Sequence, residues 1–447
     1  MVRHVIQRAG LAAGVAAVIA ATATAGPAYA GPAAPGPAGH PVTAKAGRSL
    51  AGPAVRRHEA ALLRRDQALA AAQGLDGQAV GATSDIAGVR LDAQAGVVHV
   101  YRKDTARALP DGIGAGVEVS VHPARFSHSE MVRAAGRIAH DARLLGEQRV
   151  SVQAVGPAID GSGIELSVVL RGADDAAELS RASSVLHGRY GSIVGRVTGS
   201  HRRTSEQELY FGGWRFNDFA PWFGGDRIAS SLGGCTSGFA ADYNGRPTML
   251  TAAHCGPVGT AFYNGPRTNG TYLPMGSSVY SNTATDIGAI DVSSYTQYIN
   301  VAPADDATAQ LYVPAWDSPV VGQVLCQSGS YTGEVCNLLV VDKSQSVCLT
   351  WFLWWCTGWQ SPLADVVNLA GPLVPAAGHG DSGAPVYSRS SDDDGSGTAR
   401  GLVHGQLTPN ASSAFPDYFP DDLWCQAPEG LSRRCSSGFS FAHMPGY

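Results

Sequence analysis

The sequence has 447 residues and a formal net charge of −5, so it is long enough for two or three domains. Residues 1–205 carry 23 Lys and Arg against 16 Asp and Glu, whereas residues 206–447 carry 9 against 21. No basic cluster with interleaved aromatic residues occurs, which excludes nucleic acid as an expected partner. A basic front half and an acidic back half attract each other, so we expect the front to dock on the back.

The N-terminus has the three parts of a secretory signal peptide. The basic residues Arg3 and Arg8 precede an apolar run at 9–24. The small-residue cleavage site Ala28-Tyr29-Ala30 follows that run. The run is too short and too rich in Ala and Gly for an anchoring helix. We therefore expect residues 1–30 to be removed on export. The product is expected to be secreted and extracellular, without membrane association.

Residues 31–205 are predicted to be a pro-region, with a flexible leader to about residue 90 and then a small α+β domain. Residues 31–48 are rich in Ala, Pro and Gly, a composition typical of flexible segments. A helix is predicted over residues 55–73, ending at Gly74. Alternating apolar residues predict strands at 96–101, 117–121, 150–152 and 164–168.

Two more helices are predicted in this region, at 129–145 and 174–187. Ser129 is expected to cap the first helix. The residues expected to share its apolar face are Val132, Ala135, Ile138, Ala139, Ala142 and Leu145. The region has no cysteine and no catalytic constellation, and its scattered histidines are interpreted as ordinary surface or core residues.

Composition changes around 196–226, where we expect a domain boundary and proteolytic processing. From about residue 228, short apolar runs alternate with Gly-rich turns, for example at 248–251, 287–290, 338–341 and 401–404. This pattern predicts an all-β domain over residues 206–447. The part from residue 228 onward, with about 220 residues, exceeds one small barrel, so we expect two.

All eight cysteines lie in this acidic part, which indicates a disulfide framework formed in an oxidising compartment. No CxxC or HExxH motif occurs, so we expect neither a metal site nor a cofactor. The cysteines are Cys235, Cys255, Cys326, Cys336, Cys348, Cys356, Cys425 and Cys435.

Three residues in distinctive settings predict nucleophilic catalysis. His254 stands in Thr-Ala-Ala-His-Cys, Asp286 opens an apolar strand, and Ser382 lies within Gly-Asp-Ser-Gly-Ala-Pro. A serine becomes a good nucleophile when a histidine takes its proton and a carboxylate orients that histidine. The backbone N–H groups of Gly380 and Ser382 are the candidates for an oxyanion hole. Asp291 is the second choice for the acid.

Residues 224–447 resemble the secreted bacterial branch of the chymotrypsin family, the streptogrisin and α-lytic protease group. The order His, Asp, Ser is the order of that family. Five stretches match in order: Gly224-Gly225-Asp226, Cys235-Thr-Ser-Gly-Phe239, Thr251-Ala-Ala-His-Cys255, Cys326-Gln-Ser-Gly-Ser-Tyr-Thr-Gly-Glu-Val-Cys336 and Gly380-Asp-Ser-Gly-Ala-Pro385.

The resemblance implies a trypsin-like double β-barrel with the triad in the cleft between the barrels. It also implies a serine endopeptidase made as a zymogen, whose pro-domain assists folding in cis or trans and is then removed. We expect a monomer that hydrolyses polypeptide substrates. A catalytically silent binding protein on a protease fold is the alternative from another functional class.

The resemblance also implies the disulfides Cys235–Cys255 and Cys326–Cys336. The other four cysteines allow three pairings. Their proximity in sequence favours Cys348–Cys356 and Cys425–Cys435, and leaves the other pairings open.

The chain departs from the family pattern near the nucleophile. Gln327 replaces an arginine that pairs with the buried acid, so the partner of Asp381 is open; Arg227 or a new N-terminal amine are candidates, because an unpaired buried acid is costly. His404 stands where the family has a serine that hydrogen-bonds the triad acid. No cysteine precedes the Gly-Asp-Ser motif, and Ala384 replaces a common glycine.

By family position, Ala376 forms the base of the specificity pocket, which argues against cleavage after Lys or Arg. An apolar pocket that accepts large apolar or aromatic side chains is the first interpretation. Because two histidines could bind an acidic side chain, preference for glutamate is the alternative. The expected pocket residues are Ala376, Ala377, His379, Val403, His404 and Gly405.

An aromatic segment at 351–359 surrounds Cys356. It is interpreted either as an exposed loop that grips substrate or, preferably, as a segment packed on the second barrel.

Overall fold

The computed structural model describes residues 53–79, 81, 83–92, 95–109, 117–171, 175–200, 214–267, 269–304, 309–352, 355–390, 395–406, 423–426 and 432–443. The predicted signal peptide, the first part of the leader and residues 201–213 of the expected processing region at 196–226 lie outside these ranges. Within them, no helix is both long and apolar enough to span a membrane.

The front part of the chain is an α+β segment that contains one small sheet and the first three strands of a larger one. Strand β1 pairs antiparallel with β2, which pairs parallel with β3, and the second sheet has the order β6-β5-β4. The elements are α1 Pro53–Ala79, β1 Ile86–Asp92, β2 Val97–Arg102, β3 Glu118–Pro123, α2 His128–His140, α3 Ala142–Glu147, β4 Val152–Pro157, β5 Ile164–Val169, α4 Asp175–Tyr190 and β6 Val194–Ser200.

The helix predicted over residues 55–73 is present as α1, and it is longer than predicted; together with the start of β1 it occupies much of the segment expected to be a flexible leader. Buried residues of α1 recur every three or four positions and pack on the first sheet, together with Val320 from the back part of the chain. The helix also continues past its predicted end at Gly74. The buried residues of α1 are Ala68, Ala72, Leu75 and Ala79.

Helix α2 begins one residue earlier than predicted, and its N-cap is Ser127 instead of Ser129. Ser127 and Glu130 form a reciprocal capping box, which satisfies two backbone N–H groups at the helix start. The buried face also differs, since Val132 is 44% exposed. The buried residues of α2 are Met131, Ala134, Ala135 and Ile138.

In the described residues from 214 onward, all regular elements are strands and short 3-10 turns, which confirms the all-β prediction. The first strands are β7 Trp222–Gly224, β8 Arg227–Ser230, β9 Gly233–Thr236, β10 Ala240–Tyr243, β11 Arg246–Ala252, β12 Ala261–Asn264, β13 Leu273–Asn282, β14 Ile287–Val292, β15 Tyr295–Asn300 and β16 Gln310–Trp316. The remaining strands are β17 Val324–Gly329, β18 Gly333–Phe352, β19 Trp355–Asn368, β20 Ala377–Gly378, β21 Pro385–Arg389, β22 Ser396–Gln406, β23 Leu423–Gln426, β24 Ser432–Ser436 and β25 Gly438–His443.

Two barrels are visible in the strand pairings. Seven strands form a sheet with the order β10-β11-β14-β13-β12-β8-β9. Its end strand β9 curls back to β11, where the Thr251 hydroxyl donates to the Thr236 carbonyl over 3.0 Å. The second barrel is a closed ring in which β17, β18, β19, β25, β22 and β21 each pair with the next and β21 pairs with β17. Each barrel has its own buried apolar cluster.

The α+β segment and the second barrel share a sheet. Strand β4 pairs with β18 at Ser346↔Val155 and Val347↔Ala154, so the hairpin β18–β19 belongs to both parts. The Lys343 ammonium also lies 2.5 Å from the Asp76 carboxylate of α1. In this ion pair the back part supplies the cation and the front part the anion, the reverse of the polarity that net charge predicts.

Three of the expected disulfides are formed: Cys235–Cys255, Cys326–Cys336 and Cys348–Cys356. Cys435 is disulfide-bonded, whereas the side chain of its expected partner Cys425 lies outside the described residues. Trp359 packs on the α+β segment and beside the Cys348–Cys356 bond. Trp359 therefore packs beside this disulfide of the second barrel, as expected, and on the α+β segment as well, which was not expected.

Candidate active site

His254 and Asp286 meet because two paired strands begin and end at the same place. Strand β11 runs into the turn Ala253–Cys255, and Asp286 immediately precedes β14, its antiparallel neighbour. The Cys235–Cys255 bond fixes the turn from its other side. Oδ1 of Asp286 accepts from the backbone N–H of His254 over 3.0 Å, and the imidazole Nδ1 lies 3.0 and 2.9 Å from Oδ1 and Oδ2.

Asp286 is fully buried, and its surroundings determine its charge. Burial alone would raise its pKa, but His254 and His404 outweigh burial and hold the pKa well below its usual value. For His254, burial would lower the pKa, but the charge of Asp286 and the hydrogen bond to it outweigh burial, so the pKa is raised. The site therefore stabilises a carboxylate that favours a protonated imidazole.

Ser382 lies in the turn between β20 and β21, and its backbone is bound to the first barrel. Its carbonyl accepts from the Thr236 N–H over 2.9 Å and lies 3.8 Å from Sγ of Cys255. That sulfur is in a disulfide and has no hydrogen, so this is a contact only. A Cβ on Gly383 would come within 2.3 Å of Thr251 Oγ1, which shows how closely the serine turn approaches the strand that leads to His254.

The two N–H groups predicted to form an oxyanion hole belong to the serine turn. The Gly380 carbonyl is turned away, since it accepts from the Thr236 hydroxyl over 2.9 Å. Gly380 has φ +94°, and a Cβ there would lie 2.4 Å from the Tyr331 ring, so this position needs glycine. Among the described residues, neither the Gly380 nor the Ser382 N–H has a hydrogen-bond acceptor.

Asp381 is fully buried and satisfied without either of the cations expected from the sequence. Its carboxylate accepts from the N–H groups of Tyr331, Thr332 and Gly378 over 3.0, 3.2 and 2.8 Å, and from the Thr332 hydroxyl over 2.7 Å. Burial raises its pKa, although these hydrogen bonds act against that shift. The expected partner Arg227 instead lies between the rings of Phe216 and Tyr331, at 3.4 and 3.6 Å from their centroids.

Gln327, which replaces the family's arginine, supports Asp381 indirectly. Its Nε2 donates to the Thr332 hydroxyl over 2.9 Å, and that hydroxyl donates to Asp381. The same Nε2 lies 3.0 Å from the carbonyl of Ala376. A neutral amide therefore connects the acid beside the nucleophile to the expected base of the pocket.

Arg215 is a buried residue of this region that the sequence interpretation missed. Its guanidinium is fully buried and donates to the carbonyls of Gly225 and Ala302 and to the Ser328 hydroxyl. The charge of Asp381 acts on it as well. The signal in the sequence is its position between Trp214 and Phe216, an aromatic setting that is unusual for a solvated arginine.

The expected pocket residues surround the serine turn in part. Ala376, Ala377 and Val403 are buried, while His379 and Gly405 are partly exposed. His404 does not stand free in a pocket, because its Nδ1 lies 2.6 Å from Oδ2 of Asp286 and its side chain is 10% exposed.

His254, Asp286 and His404 are also the kinds of ligand that bind a transition metal, and their ligand atoms lie within 4.8 Å of one another. The nitrogen–oxygen separations of 2.6–3.0 Å are those of hydrogen bonds. Ligands about 2.0–2.1 Å from one tetrahedral zinc ion stand roughly 3.4 Å apart. The three side chains are therefore arranged as a hydrogen-bonded set.

No model of a known protein family matches the chain, and no curated protein matches it. Among solved structures, Thermobifida fusca protease A is similar at 20% identity over 49% of this chain and 90% of that one, with a TM-score of 0.33. The Nocardiopsis protease NAPase is similar at 22% identity over 49% of this chain and 90% of that one, with a TM-score of 0.33. A third similar structure is a glutamic-acid-specific serine protease that uses a histidine triad in substrate binding. Its identity is 19% over 44% of this chain and 98% of that one, with a TM-score of 0.32. These TM-scores are too low to support conclusions about the site, which rest on the contacts above.

Proposed function

We propose that the chain is a secreted serine endopeptidase that hydrolyses peptide bonds with Ser382, His254 and Asp286. The observation that carries the proposal is the buried Asp286 carboxylate, which holds Nδ1 of His254 at 2.9 Å, next to a serine turn bound to the same barrel. A carboxylate can only accept hydrogen bonds. Nδ1 therefore carries the hydrogen, and Nε2 is left with the lone pair that a general base needs.

In the proposed mechanism, Ser382 Oγ attacks the peptide carbonyl while His254 Nε2 takes its proton. Negative charge then develops on the carbonyl oxygen, where the N–H groups of Gly380 and Ser382 stabilise it. The imidazolium next gives its proton to the leaving amine, and a water molecule, deprotonated in the same way, hydrolyses the acyl-enzyme. The raised pKa of His254 supports this role, because Asp286 stabilises the imidazolium that forms in the transition state.

The domain scheme is part of the proposal: signal peptide 1–30, pro-region 31–205 and protease domain 206–447. Its support is the export-type N-terminus, the cysteine-free front part and the disulfides of the back part. The shared sheet at β4 and β18 supports a pro-domain that assists folding of the second barrel. No cofactor enters the proposed reaction.

For specificity we propose a preference for large apolar residues before the cleaved bond. The small buried side chains of Ala376 and Ala377 support this. The glutamate alternative rested on two histidines, and His404 is bound to Asp286, which leaves His379 alone. Cleavage of a peptide library by the processed enzyme measures the preference, and dominant cleavage after glutamate would contradict the apolar proposal.

A fluorophosphonate probe tests the activity itself. It is expected to label the processed protein at Ser382, as located by mass spectrometry, and to leave the Ser382→Ala variant unlabelled. A folded, processed protein that neither reacts with the probe nor cleaves casein would be a binding protein on a protease fold and would refute the proposal.

A further inference from the structure

We propose that His404 is a positioning residue of the site, a second imidazole that fixes the Asp286 carboxylate and ties it to the strand that follows Ser382. The proposal rests on the proposed function, because it assigns how the triad is held in register. It replaces the expectation that His404 binds substrate.

The hydrogen bonds on Asp286 differ between its two carboxylate oxygens. Oδ1 accepts from the backbone N–H of His254 over 3.0 Å, so one oxygen is fixed by the main chain. Oδ2 is fixed by side chains alone, at 2.9 Å from Nδ1 of His254 and 2.6 Å from Nδ1 of His404. The contact from His404 is the shortest of the four, and hydrogen bonds to an ionised acceptor are the strong ones.

The two imidazoles that contact Asp286 share one tautomer. Because the carboxylate only accepts, Nδ1 of each imidazole carries a hydrogen. The two rings meet edge to face with centroids 5.7 Å apart, so His404 packs beside the ring it helps to orient. Without His404, the Nδ1 hydrogen of His254, which also lies near Oδ1, would be the donor left to Oδ2, and Oδ2 would be held less firmly.

His404 also connects the two barrels. His404 lies on β22, and its neighbour Val403 exchanges backbone hydrogen bonds with the serine turn, from the Gly383 N–H over 2.8 Å and to the Ala384 carbonyl over 2.9 Å. Asp286 belongs to the first barrel and β22 to the second. The His404–Asp286 bond therefore crosses between the barrels and links the acid to the strand that carries the nucleophile's neighbours.

Two substitutions separate this role from others. His404→Asn can place an Nδ2–H where Nδ1–H stood, whereas His404→Ala supplies no donor. We expect His404→Ala to lower kcat about tenfold or more, with KM within about twofold, and His404→Asn to recover most of the loss. Unchanged kcat in His404→Ala would overturn the proposal. So would a loss that appears in KM for peptides with glutamate before the cleaved bond, since that is a substrate-binding role.

Proton NMR of the full chain carrying Ser382→Ala tests the geometry without relying on activity. Two downfield Nδ1–H signals are expected, from His254 and His404, and His404→Ala should remove one and shift the other. A single signal in the parent, or a His254 signal that stays in place, would refute the positioning role. Failure of fluorophosphonate labelling would instead refute the proposed function, so the two failures are distinguishable.

Discussion

Thr332 offers a direct test of how hydrogen bonds from neutral groups hold the acid beside the nucleophile. Its hydroxyl donates to Asp381 over 2.7 Å, the shortest of the four hydrogen bonds that the buried carboxylate accepts. Thr332→Val keeps the shape of the side chain and removes this donor. Thr332→Ser keeps the donor and is the matched control.

A hydrogen bond to a charged group contributes about 1.5–3 kcal/mol, so we expect Thr332→Val to lower the free energy of unfolding by roughly 2 kcal/mol. The sign of the pH dependence follows from Asp381. Burial raises its folded-state pKa above the ordinary value, so its ionisation opposes folding as pH rises through that pKa. Removing a donor that favours the charged form raises the pKa further. The loss should therefore be larger above the pKa of Asp381 than below it.

Urea unfolding of the full chain carrying Ser382→Ala, which prevents self-digestion, measures this effect at several pH values. The Thr332→Ser control should stay within about 0.5 kcal/mol of the parent. Equal stability of Thr332→Val and the parent at neutral pH would show that the three backbone N–H groups suffice. A loss that is larger in acid than at neutral pH would refute the assignment of charge to Asp381.

Because Asp286 raises the pKa of His254, the acid limb of the pH profile of kcat/KM should have its midpoint above about 6.5, and a midpoint below about 6.5 would contradict the shift. Asp286→Asn should lower kcat by roughly 10⁴-fold, which the same kinetic measurements check. The largely buried pair Lys343–Asp76 should contribute to docking of the front part, so Lys343→Met is expected to weaken binding of separately made pro-domain by tenfold or more. Adding Asp76→Asn should recover part of that loss in a titration, and strictly additive losses would argue against a direct pair.

The sequence predicted the class of the fold because period-two alternation and Gly-rich turns are local signals. It missed the length of α1, since Gly74 and Gly77 lower helix propensity while burial of Leu75 on the first sheet outweighs them. It also chose the wrong cap for α2. The serine at 127 has glutamate three positions later, and that spacing was the signal for a capping box.

The candidate site was also predicted from the sequence only in part. His254, Asp286 and Ser382 stand in recognisable local sequences, and the structure brings the first two into contact and the serine turn beside them. The support of Asp381 by Thr332 and the contact of His404 with Asp286 join residues 49 and 118 positions apart. Nothing in the local sequence encodes such pairs, because they depend on how strands that are distant in sequence come together.

The hairpin β18–β19 has a consequence for what happens once the chain is cut. While the chain is continuous, the front part meets this hairpin at the high effective concentration that a covalent connection provides. The contact includes a short stretch of sheet, Ser346↔Val155 and Val347↔Ala154, the Lys343–Asp76 pair, and the packing of Val320 and Trp359 on the front part. A cut between residues 200 and 214 would leave every one of these contacts in place and remove only the tether. Separation would then depend on dilution, because the two parts would meet as separate molecules.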